Sequence, residues 1–261
     1  MGRNALRESV RHLPSTICTR FGVRSDVQSD RVDEVLSTTS GPVIEVFADI
    51  WCPFAHVGLQ TIHTARAHAG REDVTIWVRA WPLELVNGAP LDASTTGDHV
   101  DELREQVAPD LFRHFDITRF PSSTLDALAL ANGAYRVDLQ VGELVSFALR
   151  QALFEEAQDV SDGITLEHIA QTLGVAMPDA SDYADVLADW HEGERRGVIG
   201  SPHFFCRDVD VFCPSLTITK DPVKGASMLR DTSRLRDFLA RCLAPRPAAS
   251  DHSSKESHER F

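Results

Sequence analysis

The hydrophobic and polar positions of this chain divide it into two α/β portions with a long helical portion between them. The apolar run at residues 43–48 predicts a buried strand, and residues 53–69 carry their apolar side chains on one helical face. Residues 74–79 alternate between apolar and polar positions, which predicts a second strand. This order of elements favours a right-handed βαβ unit in which the two strands are parallel.

Residues 92–196 show helical patterns only, so they predict an all-helical insertion. Within it, Thr165 is expected to cap a helix that Gly174 ends, and Ser181 to cap one that Gly197 ends. Another helix is expected to bury a stripe made of Leu144, Phe147, Ala148, Gln151 and Phe154. An insertion of this kind would be most economical as a lid over one end of the sheet.

After the insertion the pattern changes to ββα. Residues 203–206 and 211–213 predict the two strands of a hairpin, and residues 231–244 carry a regular apolar stripe at helical spacing. The two ends of the chain lack sustained periodicity. Residues 1–40 are therefore expected to form a disordered N-terminal extension, and residues 245–261 a disordered tail.

Composition and charge exclude several classes of partner. The chain has 261 residues, 43% of them hydrophobic and 25% charged, which is typical of a globular protein. A net charge of −13 argues against nucleic acid and against anionic membrane surfaces as partners. The chain has neither an apolar run of membrane-spanning length nor the apolar region of a secretory signal. Its five cysteines are an odd number, which argues against a disulfide framework, and we expect a cytoplasmic protein.

The candidate chemistry lies at Cys52, which follows the first strand and begins the first helix. Pro53 then occupies the first helical position, where the missing N–H of proline costs nothing. The free N–H groups and the positive end of the helix dipole favour a thiolate at such a position, and a lowered pKa makes a cysteine reactive. The alternative is a buried cysteine that acts as a small hydrophobic residue.

Two segments carry a resemblance to a known family: Asp-Ile-Trp-Cys-Pro-Phe at 49–54 and Val-Ile-Gly-Ser-Pro at 198–202. In this order, on either side of a helical block, they resemble the DsbA-like branch of the thioredoxin fold. That branch includes the 2-hydroxychromene-2-carboxylate isomerases and the kappa-class glutathione transferases. The resemblance implies an α/β thioredoxin fold, βαβ plus ββα, over residues 41–244, with the helical insertion at about 92–196 between the two halves.

The resemblance also implies roles for the residues around Cys52. In the family, the proline that matches Pro202 is cis and lies against the active-site sulfur, whereas the alternative is an ordinary trans proline that opens an edge strand. The backbone of Ser201 could then pair with an extended peptide or a glutathione-like thiol. Trp51 and Phe54 would form an apolar wall for the substrate, or else pack under the insertion.

His56 lies one helical turn after Cys52. When protonated it could face the sulfur and stabilise the thiolate, although such a histidine is more often a partly exposed helix residue.

The chain departs from the family pattern at Ala55, where the oxidoreductases carry a second cysteine. Alanine cannot resolve a mixed disulfide, so an external low-molecular-weight thiol would have to release it. Cys213 is an alternative resolving cysteine, although strand spacing places it too far for a direct bridge. Cys206 could also pair with Cys213 across the hairpin, but a free buried pair is expected in a reducing compartment. The isomerase and transferase relatives carry serine at the position of Cys52.

We therefore predict a DsbA-like thiol oxidoreductase with a single reactive cysteine. A thiol-dependent isomerase or transferase, and a non-catalytic binding protein, remain the alternatives. The predicted site comprises catalytic Cys52 and Pro202 and substrate-binding Trp51, Pro53, Phe54, His56 and Ser201. We expect no bound cofactor and no metal, a low-molecular-weight thiol as possible co-substrate, and a small-molecule or peptide thiol or disulfide as substrate. The oligomeric state is not determined by the sequence.

Overall fold

The computed structural model of the protein describes residues 41–214, 216–221 and 225–244. The expected disordered extension at 1–40 and the expected tail at 245–261 lie outside the described residues.

The central sheet has four strands in the order β2-β1-β3-β4. They are β1 (Val43–Ala48), β2 (Thr75–Ala80), β3 (His203–Cys206) and β4 (Val209–Phe212). β1 is parallel to β2 and antiparallel to β3, and β3 is antiparallel to β4. Helix α1 (Pro53–His68) connects β1 to β2, and Gly70 follows it in the left-handed conformation with φ of +62°. The predicted βαβ and ββα halves are both present.

The insertion between the halves is helical, as predicted. It contains α2 (Leu83–Asn87), α3 (Ala93–Gln106), a 3₁₀ turn (Ile117–Arg119), α4 (Leu125–Val137), α5 (Leu139–Glu155), α6 (Gly163–Leu173) and α7 (Ala180–Arg196). Gly174 and Gly197 end α6 and α7 in the left-handed conformation. In the described ranges, no helix combines the length and the apolar character needed to cross a bilayer.

The predicted helix starts at Thr165 and Ser181 were wrong by a few residues. Asp162 caps α6 and accepts from the backbone N–H of Thr165, and Asp179 caps α7 and accepts from that of Ser181. An aspartate side chain satisfies the free N–H groups of the first turn as well as a hydroxyl does, so each helix begins at the earlier residue.

The insertion closes the outer edge of the sheet. Three N–H groups of β2 donate to its side chains: Ile76 to Glu143 at 2.9 Å, Val78 to the Tyr135 hydroxyl at 3.0 Å, and Ala80 to Asp189 at 3.1 Å. An edge strand with free N–H groups would be open to pairing with another chain. The insertion thus lies along β2, and the expected lid over one end describes only part of its position.

A second hairpin, β5 (Leu216–Asp221) and β6 (Gly225–Arg230), precedes the last helix, α8 (Thr232–Leu243). Sequence analysis overlooked this hairpin, although residues 216–219 alternate between apolar residues and threonine. The backbone N–H of Met228 donates to the side-chain oxygen of Gln106 at 2.8 Å, which attaches the hairpin to α3.

Candidate active site

Cys52 is the N-cap residue of α1, with extended backbone angles (φ −80°, ψ 111°), and Pro53 opens the helix as predicted. The Cys52 carbonyl accepts the N–H of His56 at 3.1 Å and so begins the helical hydrogen-bond ladder. The side chain is 4% exposed. β1 and α1 therefore place the sulfur at the carboxyl end of the central strand, with little of it open to solvent.

The loop before β3 lies against this sulfur, and its Ser201–Pro202 peptide bond is cis. The Cys52 thiol donates to the Ser201 carbonyl at 3.2 Å. The Ser201 hydroxyl accepts the N–H of Asp49 at 3.0 Å, and the Pro202 carbonyl accepts the N–H of Cys213 at 3.0 Å. The structure thus brings Cys52, Ser201 and Pro202 together, although they are far apart in the chain.

The pKa of the Cys52 thiol is raised above its usual value, which is the reverse of the prediction. Burial is the main cause, because it disfavours the charged thiolate. The Ser201 hydroxyl and the N–H groups of Phe54 and Ala55 act in the opposite direction, and the charge of Asp49 adds to the increase. The prediction considered the helix terminus alone, and in the folded chain desolvation outweighs it.

The apolar residues beside Cys52 divide into a packed set and an accessible one. Trp51 is fully buried and stacks on Phe120 of the insertion, with ring centroids 5.8 Å apart and planes 6° apart. It therefore packs under the insertion, and the alternative role as a substrate wall was wrong for this residue. Pro53 is also buried. Phe54 is half-buried beside the His99 ring at 5.2 Å, so it can still contact a substrate.

His56 does not belong to the substrate surface, contrary to the prediction, because its ring is fully buried. Its Nε2 lies 2.8 Å from Glu155 Oε1, and the ring packs between Phe112 and Phe154 with centroids 5.3 and 5.0 Å away. Burial lowers the pKa of His56 despite the carboxylate. The neutral ring is therefore favoured, and it provides no cation for the thiolate.

This buried histidine predicts a loss of stability in mild acid. A histidine whose folded-state pKa is below the unfolded value of 6.5 opposes protonation, so its contribution to stability falls as the pH falls below 6.5. One such proton changes the unfolding free energy by at most about 1.4 kcal/mol per pH unit. We expect the His56→Gln variant to lose less unfolding free energy than the wild type as the pH falls from 6.5 to about 5.

Urea unfolding of both proteins over this range measures the effect. Asp49 has its pKa raised to about 6 by burial and takes up a proton in the same range with the opposite sign. It is present in both proteins, so the difference between them isolates His56. Identical slopes for the two proteins would contradict the assignment.

The described cysteines Cys52, Cys206, Cys213 and Cys242 are all free thiols. Cys206 pairs across the hairpin with Val209, so Cys213 lies at the opposite end, and a Cys206–Cys213 pair does not form. Cys206 instead interacts with Cys242, which lowers the pKa of Cys206. Burial raises the pKa of Cys213 to about 12, which makes it a poor attacking thiol. In the described part of the chain, no three histidine, cysteine or carboxylate side chains group as metal ligands.

Two charged residues near the sulfur were missed by sequence analysis, Asp49 and Arg150. The Asp49 carboxylate is fully buried and accepts from the Thr124 hydroxyl at 2.6 Å and from the N–H of Leu83. The signal for Asp49 was a carboxylate directly after an apolar strand. Arg150 had no such signal, because the stripe predicted for α5 lay on the wrong face: Leu144 is 59% exposed, whereas Arg150 is 1% exposed.

Comparison with known proteins identifies the family and the fold of the chain. The sequence model of the DSBA-like thioredoxin domain family matches residues 43–236. The structure is similar to a putative protein disulfide isomerase from Nitrosomonas europaea, with a TM-score of 0.55, 15% identity, and coverage of 77% of this chain and 96% of that one. It is also similar to a probable DsbA oxidoreductase from Streptomyces coelicolor, with a TM-score of 0.51, 22% identity, and coverage of 65% and 82%.

At these identities the structural likeness shows the fold alone. No curated protein matches the chain in a sequence search. The family match confirms the predicted α/β thioredoxin fold with its helical insertion.

Proposed function

Since this chain belongs to the DSBA-like thioredoxin domain family, we propose that it is a thiol oxidoreductase in which Cys52 is the single reactive cysteine. The observation that carries the proposal is the position of the Cys52 thiol, 3.2 Å from the Ser201 carbonyl and beside the cis Ser201–Pro202 bond. Ala55 occupies the place of a resolving cysteine and is fully buried. Release of a mixed disulfide therefore falls to an external low-molecular-weight thiol.

The proposed exchange has two steps. The Cys52 thiolate attacks one sulfur of a small-molecule or peptide disulfide, a bond forms to Cys52 Sγ, and the other substrate sulfur leaves as a thiolate that takes up the proton lost by Cys52. The external thiol, as its thiolate, then attacks the substrate sulfur, and Cys52 leaves as a thiolate. The net result is transfer of the substrate thiol from one disulfide to another, with Cys52 unchanged.

The surface around the sulfur suits an apolar substrate with a free backbone edge. Ile199, three residues before Pro202, is 73% exposed, and Phe54 is half-buried on the opposite segment. An extended peptide could pair with the Ser201 backbone while its side chains contact these two residues. Entry of a disulfide requires opening of the site, because Cys52 is 4% exposed.

One observation favours a second candidate, a thiol-dependent isomerase or transferase. The Cys52 thiol donates to the Ser201 carbonyl, and a serine hydroxyl would make the same hydrogen bond. In that case a bound cofactor thiol would be the reacting group, and the Cys52→Ser variant would keep its activity.

The proposal predicts that treatment with oxidised glutathione adds one glutathionyl group, at Cys52. Intact-mass spectrometry of the native protein is the measurement, followed by addition of reduced glutathione, which should remove the adduct. We expect the Cys52→Ser variant to give no adduct and the Cys213→Ser variant to give the same adduct as the wild type. An adduct that persists in Cys52→Ser, or no adduct on the wild type, would contradict the proposal.

A further inference from the structure

Arg150 on α5 is a buried cation that lacks an ion-pair partner within the described residues. Its side chain is 1% exposed, and its Nε–H finds no hydrogen-bond acceptor in the part of the chain that the structure describes. Nη1 donates to the carbonyl and hydroxyl oxygens of Ser146 at 2.9 and 2.7 Å, and Nη2 donates to the Asp49 carbonyl at 3.1 Å. All of these acceptors are neutral.

Arg79, which is also buried, shows how a buried guanidinium is usually stabilised. Arg79 is equally inaccessible, and it makes ion pairs with Asp189 at 2.7 Å and Glu45 at 3.2 Å. A buried charge without such a partner is costly, and this cost is offset when an anion forms nearby. Arg150 makes no such contact with a carboxylate within the described residues, so an anion that forms close to it would lower the cost of burying its charge.

A short chain of hydrogen bonds connects Arg150 to the active-site sulfur. The guanidinium donates to the Asp49 carbonyl, the Asp49 N–H donates to the Ser201 hydroxyl, and the Ser201 carbonyl accepts from the Cys52 thiol. Arg150 thus lies behind the segment that positions Cys52. Because the surroundings are desolvated, charges on the two groups interact with little screening by water, and a charge on Cys52 favours the charged form of Arg150.

We infer that Arg150 is a positioning residue whose positive charge stabilises the Cys52 thiolate during the exchange. The inference rests on the proposed function, since only a reacting Cys52 has to become a thiolate. It also gives the helical insertion a part in the chemistry, because α5 delivers the cation that neither α1 nor the sheet provides.

Other titratable groups face the same two residues. The charge of Asp49 raises the pKa of Cys52. A charge on Cys52 in turn raises the pKa of Cys213. Tyr135 and Asp49 favour the charged form of Arg150, whereas burial lowers the pKa of Arg150 to about 10. The Arg150 charge itself lowers the pKa of Asp49 and of His56. The test must therefore follow Cys52 separately from these groups.

The test compares the ionisation of Cys52 in Arg150→Gln, which keeps hydrogen-bonding ability without charge, and in Arg150→Lys, which keeps the charge. The ultraviolet absorbance of the thiolate is followed against pH, each protein being referenced to the same protein with Cys52→Ser. We expect Arg150→Gln to raise the midpoint by about one pH unit or more and Arg150→Lys to stay near the wild type. The rate of iodoacetamide alkylation of Cys52 at a fixed pH below both midpoints should fall about tenfold in Arg150→Gln.

Arg136→Gln is the control for loss of a positive charge elsewhere, because Arg136 is 43% exposed and pairs with Asp185. It should leave the Cys52 midpoint unchanged. Should Arg150→Gln fail to fold, the test is the nitrogen-15 chemical shift of Arg150 Nε in the wild type, followed against pH. This chemical shift should change over the pH range in which Cys52 ionises, and the change should be absent in the Cys52→Ser variant.

An unchanged midpoint in folded Arg150→Gln, or an Arg150 resonance that ignores Cys52, would overturn the inference. Failure of the proposed function looks different: the wild type would form no glutathione adduct, whatever the midpoint of Cys52 in the Arg150 variants.

Discussion

Replacing Ala55 with cysteine is expected to shorten the lifetime of a mixed disulfide on Cys52 by at least about 100-fold. Ala55 lies in the first turn of α1, three residues after Cys52, and its backbone N–H acts to lower the pKa of the Cys52 thiol. A thiol at this position attacks from within the same molecule, whereas the wild type has to wait for an external thiol. The product is an internal disulfide between residues 52 and 55.

The lifetime is measured by forming the glutathione adduct, removing excess reagent, and following intact mass without added thiol. The adduct of the wild type should persist, and that of Ala55→Cys should disappear with gain of an internal disulfide. Ala67→Cys is the matched control, since Ala67 is exposed on the same helix and too far along it to reach Cys52. Equal lifetimes in Ala55→Cys and Ala67→Cys would show that position 55 does not face the sulfur.

Replacing Asp189 with alanine is expected to lower the unfolding free energy by about 3–5 kcal/mol. Asp189 is 1% exposed and accepts from Arg79 Nε at 2.8 Å and from the N–H of Ala80 at 3.1 Å, and Asn132 donates to it as well. The variant leaves the buried Arg79 charge with only Glu45 and removes an acceptor from the edge of β2. Both changes destabilise the folded state and leave the unfolded state unaffected.

Urea unfolding at neutral pH measures this effect. Arg195→Ala on the same helix is the control, because Arg195 is 73% exposed and its pair with Glu192 should contribute no more than about 1 kcal/mol. A loss in Asp189→Ala that is no larger than the loss in Arg195→Ala would contradict the view that the insertion holds the sheet edge through this carboxylate.

Much of the fold followed from local patterns. The positions of β1, β2 and α1 each depend on neighbours within a few residues, so the sequence predicts these elements. The alternation predicted for β2 was wrong in one respect, because every residue of this strand is buried. The same holds for Cys52 at the start of α1, because a strand that runs into Cys-Pro leaves little choice of where the helix begins. The pairing of β5 with β6 was not predicted, although the alternation in β5 was present in the sequence.

The state of the sulfur was decided by contacts that no local pattern contains. Cys52 and Ser201 are 149 residues apart, and Arg150 is 101 residues from its acceptor Asp49. A helical repeat indicates which side chains share a face, but not which face is covered or by what, as the exposed Leu144 and the buried Arg150 show.

The local sequence therefore determined the order of the elements and the position of Cys52 at the start of α1. Whether that cysteine is ionised, whether His56 meets solvent and which cation lies behind the site depended on the packed molecule. The physical reason is that desolvation and charge pairing act through space, between segments brought together only by folding.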